Sequence, residues 1–129
     1  MSHPYLLTYL LVAVGSAVGG VCRAGVAALL MARITGLPLH TLLVNVLGCF
    51  LLSALNEAAL AGIGLRWRAL LTTGFCGGFT TYSTFNYEAT QLTGERGLAT
   101  GALYGGLTVG LCLAAHGLGV ATARLLIRR

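Results

Sequence analysis

Thr72-Thr-Gly-Phe-Cys-Gly-Gly-Phe-Thr-Thr-Tyr-Ser-Thr-Phe-Asn-Tyr-Glu88 is the stretch on which the fold turns. It is apolar enough to lie in a membrane, yet Gly77-Gly78 sits near its middle and five hydroxyl side chains follow within six positions. A glycine pair with Thr80 and Thr81 behind it is where a transmembrane helix would break. Broken backbone is tolerated in hydrocarbon only where protein buries it or where it lines an aqueous path. Carbonyls and helix ends freed at such a break can hold ions. The plainer reading is a kink cushioned by Ser and Thr side chains bonding back to the helix. Phe79, Tyr82 and Phe85 recur every three residues, which puts them on one face of the second half of the helix. Such a face serves packing, or it turns positive ring edges toward an anion.

The chain on either side of this stretch is built for lipid. Of 129 residues, 57% are hydrophobic and 9% charged, whereas soluble domains carry about 25% charged residues. Four apolar runs, at about 5–31, 37–56, 69–87 and 97–123, approach or exceed the length of about 20 helical residues that spans a hydrocarbon core. Short connections are expected at 32–36, 57–68 and 88–96, with Pro38 at the start of the second helix. The whole chain, 1–129, reads as a single transmembrane domain. Met1 to Pro4 has no charged segment of the kind that opens a signal peptide, so the first run is read as a retained helix.

The net charge of +5 comes entirely from arginine, since Lys and Asp are absent. Arg33, Arg66, Arg68, Arg96, Arg128 and Arg129 sit singly or in pairs at the edges of apolar runs. No basic stripe interleaved with aromatics occurs, which argues against nucleic acid as a partner. These arginines read as headgroup anchors. Arg66, Arg68, Arg124, Arg128 and Arg129 fall on the side of the termini, and Arg33 and Arg96 on the other. That bias alone favours cytoplasmic termini. Cys22, Cys49, Cys76 and Cys112 have no metal-ligand spacing and read as small buried hydrophobes.

Polar residues inside the runs are few. Asn45, in the second helix, must be hydrogen-bonded at mid-membrane, either as glue between helices or as a donor in a pore. Tyr104, Thr108, Cys112 and His116 lie four apart and form a polar strip along the last helix. Gly15 and Gly19, Gly97, Gly101 and Gly105, and Gly106 and Gly110 are also spaced by four, as at close helix crossings in lipid.

The run from Gly74 to Phe85 resembles the signature of the Fluc (CrcB) fluoride channels, whose usual form ends Thr-Thr-Phe-Ser-Thr-Phe. The likeness extends to Gly19-Gly-Val-Cys-Arg23, to Thr41-Leu-Leu-Val-Asn45 with Gly48 and Phe50, and to the strip from Tyr104. The resemblance implies an all-α membrane protein of four transmembrane helices with a break in the third. It implies an antiparallel, dual-topology homodimer with two pores, a passive fluoride-selective channel lowering cytoplasmic fluoride, and no enzymatic activity. The implied location is the cell membrane, the inner one where the source has two. A structural sodium ion at the centre would be held by backbone carbonyls matching Gly77 and Thr80. Fluoride-facing rings match Tyr82 and Phe85, the amide donor matches Asn45, and the strip matches Tyr104, Thr108, Cys112 and His116. Arg23 matches a structural arginine of the first helix and Glu88 an acid at the end of the third. Three departures stand out: Tyr82 where Phe is usual, Cys112 where a hydroxyl is common, and His116 in place of another small polar residue.

Fluoride is strongly hydrated, so its pore must replace water without trapping the ion. Neutral donors (Asn45, Ser83, Thr84, Thr108) and ring edges suit that task better than a desolvated arginine or lysine, whose attraction would be too strong. The alternative of a proton-coupled small multidrug exporter needs an intramembrane carboxylate. The first run has only Arg23, and Glu57 and Glu88 close the second and third. A membrane assembly protein would leave the hydroxyl-rich break without a purpose.

Overall fold

Leu6–Met31, Leu39–Leu60 and Leu98–Ile127 form three long helices in the computed structural model, which describes residues 5–31, 36–62 and 64–127. None of the three contains proline, and all are long and apolar enough to cross a membrane. In hydrocarbon a helix satisfies its own backbone, so such sequences have little other choice. Arg33, Arg128 and Arg129, which contribute to the charge bias read from sequence, lie outside the described residues.

The fourth helix, third in order, is in two pieces. Its entering half runs through Leu65–Arg68, a stretch of wider π-type turns at Ala69–Cys76, and Gly77–Phe79. The chain is then extended at Thr80 (φ −82°, ψ 161°) and Thr81 (φ −152°, ψ 118°) before the leaving half, Tyr82–Arg96. The break therefore falls after the glycine pair rather than on it. Gly77 keeps helical angles (φ −63°, ψ −37°). β-Branched threonines accept extended backbone readily, and the Thr81 hydroxyl accepts the Thr84 N–H, capping the leaving half. Because the break follows Phe79, that ring does not share a face with Tyr82 and Phe85. It stacks instead on Phe75 within the entering half (5.6 Å, 10°).

The helices also run past the charges that close the apolar runs. The second continues beyond Glu57 to Leu60, the leaving half beyond Glu88 to Arg96, and the last beyond Arg124 to Ile127. The expected connection at 88–96 is therefore helix. The reason is pairing: Glu57 bonds Arg124 Nε at 3.0 Å, and Glu88 is held by Thr41, Tyr104 and His40. A carboxylate so partnered does not end a span as a bare one would. What ends the leaving half is Gly97, at φ +91°, a left-handed conformation open to glycine.

Glycines set the helix crossings. A Cβ on Gly19 would fall on the Phe75 carbonyl, and one on Gly78 on the Ser16 backbone. Gly15 and Gly19 thus face Gly74 and Gly78, which bring the first helix onto the entering half. Ser16 Oγ donates to the Gly74 carbonyl there (3.3 Å). Gly119 meets the Phe50 carbonyl where the second and last helices touch, and Gly101 meets Thr93 and the Ala89 carbonyl. Gly105, Gly106 and Gly110 have nothing within 4 Å of such a Cβ, so they make no close crossing within the protomer. The second and last helices run side by side in one direction, because Ser53 meets His116 and, further along both, Glu57 meets Arg124.

Gly19→Ala should destabilise the purified protein by about 1–3 kcal/mol, the usual cost of overpacking. Gly20→Ala, whose Cβ would meet nothing within 4 Å, should be neutral or better. Unfolding midpoints in mixed detergent micelles compare the two directly; equal midpoints would show that this crossing is not glycine-dependent.

Candidate functional site: the break and the groove beside it

Two extended residues in a membrane helix leave backbone groups to be satisfied. Asn45 does most of it. Its Nδ2 donates to the Thr81 carbonyl at 2.9 Å, and its Oδ1 accepts the Thr81 N–H at 2.8 Å. Between the two roles open to this amide, the structure shows the first, with one Nδ2 hydrogen left over. Thr80 N–H and its hydroxyl both return to the Cys76 carbonyl (3.0 and 2.9 Å). Arg23 Nη1 reaches across from the first helix to the Thr80 carbonyl at 3.3 Å. Gly48 leaves room for the Thr80 methyl, which a Cβ there would strike.

Beside the break a groove of about 410 Å³ opens between the second, broken and last helices. Asn45, Tyr82, Phe85, Thr108, Cys112 and His116 all line it, as does Thr80. Among the described residues no arginine or carboxylate does. The Tyr82 ring is 77% exposed and sits 5.8 Å from Phe85, which in turn lies 5.6 Å from the buried Tyr104 ring. Past these rings Tyr104 OH donates to Glu88 Oε2 (2.8 Å) and Thr41 Oγ1 to Glu88 Oε1 (2.8 Å). His40 Nε2 stands 3.2 Å from Glu88 Oε1, where a second hollow of about 300 Å³ begins. At the other end Ser53 Oγ donates to the Cys49 carbonyl (2.6 Å) and is bonded to His116 Nδ1.

Four candidates do not line the groove: Tyr104 and Glu88 lie past its rings, and Ser83 and Thr84 are turned from it. With Tyr82 and Phe85 turned toward it, the helical repeat carries Ser83 and Thr84 away. Ser83 is exposed, and Thr84 lines a separate hollow with Arg23, His40 and Thr41. Thr108 is in place, but its hydroxyl hydrogen is already given to the Tyr104 carbonyl (2.8 Å). It meets an anion only by releasing that bond. Of the cysteines read as buried, only Cys76 is; Cys22 is exposed and Cys49 and Cys112 are half-buried.

Residues that sequence reasoning passed over are Thr41, Cys49 and Ser53, together with His40 and Thr81. A signal was present: Thr41, Asn45, Cys49 and Ser53 repeat every four positions, as do Tyr104, Thr108, Cys112 and His116. The two strips face each other in layers, and they enclose a lining of neutral dipoles and ring edges. Such a surface can replace part of an anion's hydration without a fixed countercharge.

For the implied sodium, the break offers hard oxygen. Thr81 N–H goes to Asn45 rather than back to the Gly77 carbonyl, which frees that oxygen from the helix ladder. Gly77 is exposed and a Cβ there would meet nothing. The Thr80 carbonyl retains a lone pair beside its Arg23 bond. The residues fit a hard monovalent cation.

Residues 10–120 match the family model described as CrcB-like protein, Camphor Resistance (CrcB). A protein of Prosthecochloris aestuarii named a fluoride-specific ion channel FluC is 42% identical over 120 residues, covering 90% of this chain and 92% of its own. Proteins of the same name from Rhizobium etli and Granulibacter bethesdensis are 42% and 41% identical over 127 residues, 95% of this chain and 100% and 99% of theirs.

Asn45→Ala should cost about 1–3 kcal/mol, because it strands a buried N–H and a buried carbonyl at the break. Asn45→Asp should suffer as well, since a carboxylate accepts from Thr81 N–H but cannot donate to its carbonyl. A residue acting only as a pore donor would lose flux in these variants with no change in unfolding midpoint, so the midpoint decides between the roles.

Proposed function

The chain belongs to the CrcB family, and we propose that it is a fluoride-specific ion channel of the membrane, passing the anion passively along the groove beside the break. The observation that carries this reading is the lining of that groove: Asn45, Tyr82, Phe85, Thr108 and Cys112 supply weak dipoles and ring edges, and no arginine among the described residues is there to hold the ion. An anion leaving water loses several strong hydrogen bonds. Tyr82 OH, the spare Asn45 N–H and the Cys112 thiol can each return one, and the Phe85 ring offers its edge. At the end of the groove the Phe85 ring packs against Tyr104, 5.6 Å between centroids. Beyond it Glu88 repels an anion, and the two hydroxyls that bond Glu88 can turn to fluoride as it passes. Ser83 and Thr84 serve the capping of the leaving half rather than the path.

Glu88 is an intramembrane carboxylate, the feature a proton-coupled exporter requires. Its oxygens are bonded to Thr41 and Tyr104, and the groove beside it is too poor in charge to hold a cationic drug. This favours the channel.

The chain works as an antiparallel homodimer, with oppositely inserted copies meeting at the break. What supports this is the open face at Gly77, near the middle of the third span, where only a segment on the two-fold axis finds its own copy. Gly77 and Thr80 carbonyls from both copies would then hold a sodium ion, whose charge offsets the repulsion between carbonyl dipoles. Arg23 fixes the Thr80 peptide that presents one of them.

In proteoliposomes fluoride should leave far faster than chloride, and comparable rates would sink the channel reading. Phe85→Ile should slow fluoride at least tenfold without loss of assembly, whereas Tyr82→Phe should conduct.

Dual insertion is tested separately. A single cysteine at position 129, in a background without the four native ones, should label from both membrane faces in similar amounts. Labelling from one face only would refute the homodimer of opposite copies.

A further inference from the structure

The two polar strips that border the groove are in register. Ser53 and His116 touch, and they are 63 positions apart. Thr41 and Tyr104, the same distance apart, share Glu88 at the far end. Because the two helices run in one direction, the layers between must pair in the same way: Asn45 with Thr108, and Cys49 with Cys112. Both thiols line the groove. Neither is tied up in a disulfide. A pair of free thiols facing across a membrane groove is a chelate for a soft metal ion, since thiolate is the ligand such ions select.

We propose that Cys49 and Cys112 form a binding site for a thiophilic, two-coordinate metal cation (mercuric, silver or cuprous) and that its occupancy closes the groove to fluoride. Coordination number follows from the surroundings. Among the described residues no three His, Cys, Asp or Glu side chains converge as metal ligands. Tetrahedral zinc, which needs three or four, is thereby disfavoured, and ions content with a linear S–metal–S arrangement remain. Binding exchanges two S–H bonds for two metal–sulfur bonds. Both protons leave to the buffer, and no electrons are transferred. His116 lies one helical turn from Cys112 and is engaged with Ser53, so the two sulfurs carry the site. A metal there stands between the His116 end of the groove and the Phe85 ring, on the route taken by the anion. The closure rests on the reading of the groove as the fluoride path; the binding itself does not.

The test uses the full chain with Cys22→Ser and Cys76→Ser as parent, which leaves only the proposed pair, and mercuric ion as probe in chloride-free buffer. The parent should bind one ion per chain and show the ultraviolet charge-transfer band of a mercury bis-thiolate. It should hold the ion against excess 2-mercaptoethanol. Adding Cys49→Ser or Cys112→Ser should weaken retention about 100-fold, the loss expected when a second, tethered contact is removed. Fluoride efflux from parent proteoliposomes should fall at least tenfold on loading and return with dithiothreitol. A parent without the band, or one binding two ions per chain, overturns the site whether or not the serine variants fold. Retention undiminished in either variant overturns it too. Tight single-ion binding with unchanged fluoride efflux overturns the closure. A parent that conducts no fluoride before metal is added counts against the channel reading instead, while the metal count still judges the site.

Discussion

The amide of Asn45 against the peptide of Thr81 is the constraint from which the rest follows. Inside a membrane no water is at hand to satisfy a broken helix, and each stranded group would cost several kcal/mol. Two reciprocal bonds, at 2.8 and 2.9 Å, remove that cost at the one residue that most needs it. They also pin the second helix to the break. With that pin in place Thr81 can cap the leaving half, the Gly77 carbonyl is released from the ladder, and Tyr82 and Phe85 are aimed at the groove.

Close approach of backbones makes the pin possible. Gly15, Gly19, Gly74 and Gly78 let the first helix lie directly on the entering half, and Arg23 is thereby within reach of the Thr80 carbonyl. Of the glycine pair in the middle of the third helix, Gly78 serves contact with the Ser16 backbone, while Gly77 meets nothing within the protomer. Its helical angles show that flexibility was not what the sequence needed there. Bending falls to two threonines whose side chains supply the bonds that bending removes.

Much of the molecule was legible from residue order, and the exceptions share a cause. Apolar runs located the helices, because hydrocarbon leaves an unbroken apolar segment almost no alternative. The strip Tyr104, Thr108, Cys112 and His116 was visible from its spacing, and the family from the run between Gly74 and Phe85. Helix ends were misread wherever a charge had a partner elsewhere in the chain: Glu57 with Arg124, and Glu88 with Thr41, Tyr104 and His40. Hydropathy treats each charge as solitary, and pairing is a property of the fold.

By itself the sequence determined a membrane protein of helices, since its composition admits little else, and the hydroxyl-rich stretch after Gly78 pointed to a break or a kink in the third. Tertiary structure alone decided where the interruption falls, that Asn45 ties the second helix to the break, and that Ser83 and Thr84 turn away from the groove. It alone set the layers that bring Cys49 opposite Cys112 and Ser53 opposite His116. The physical reason is the same in each case. Spacing along one helix places residues on a common face, but only the register between two helices says what that face meets.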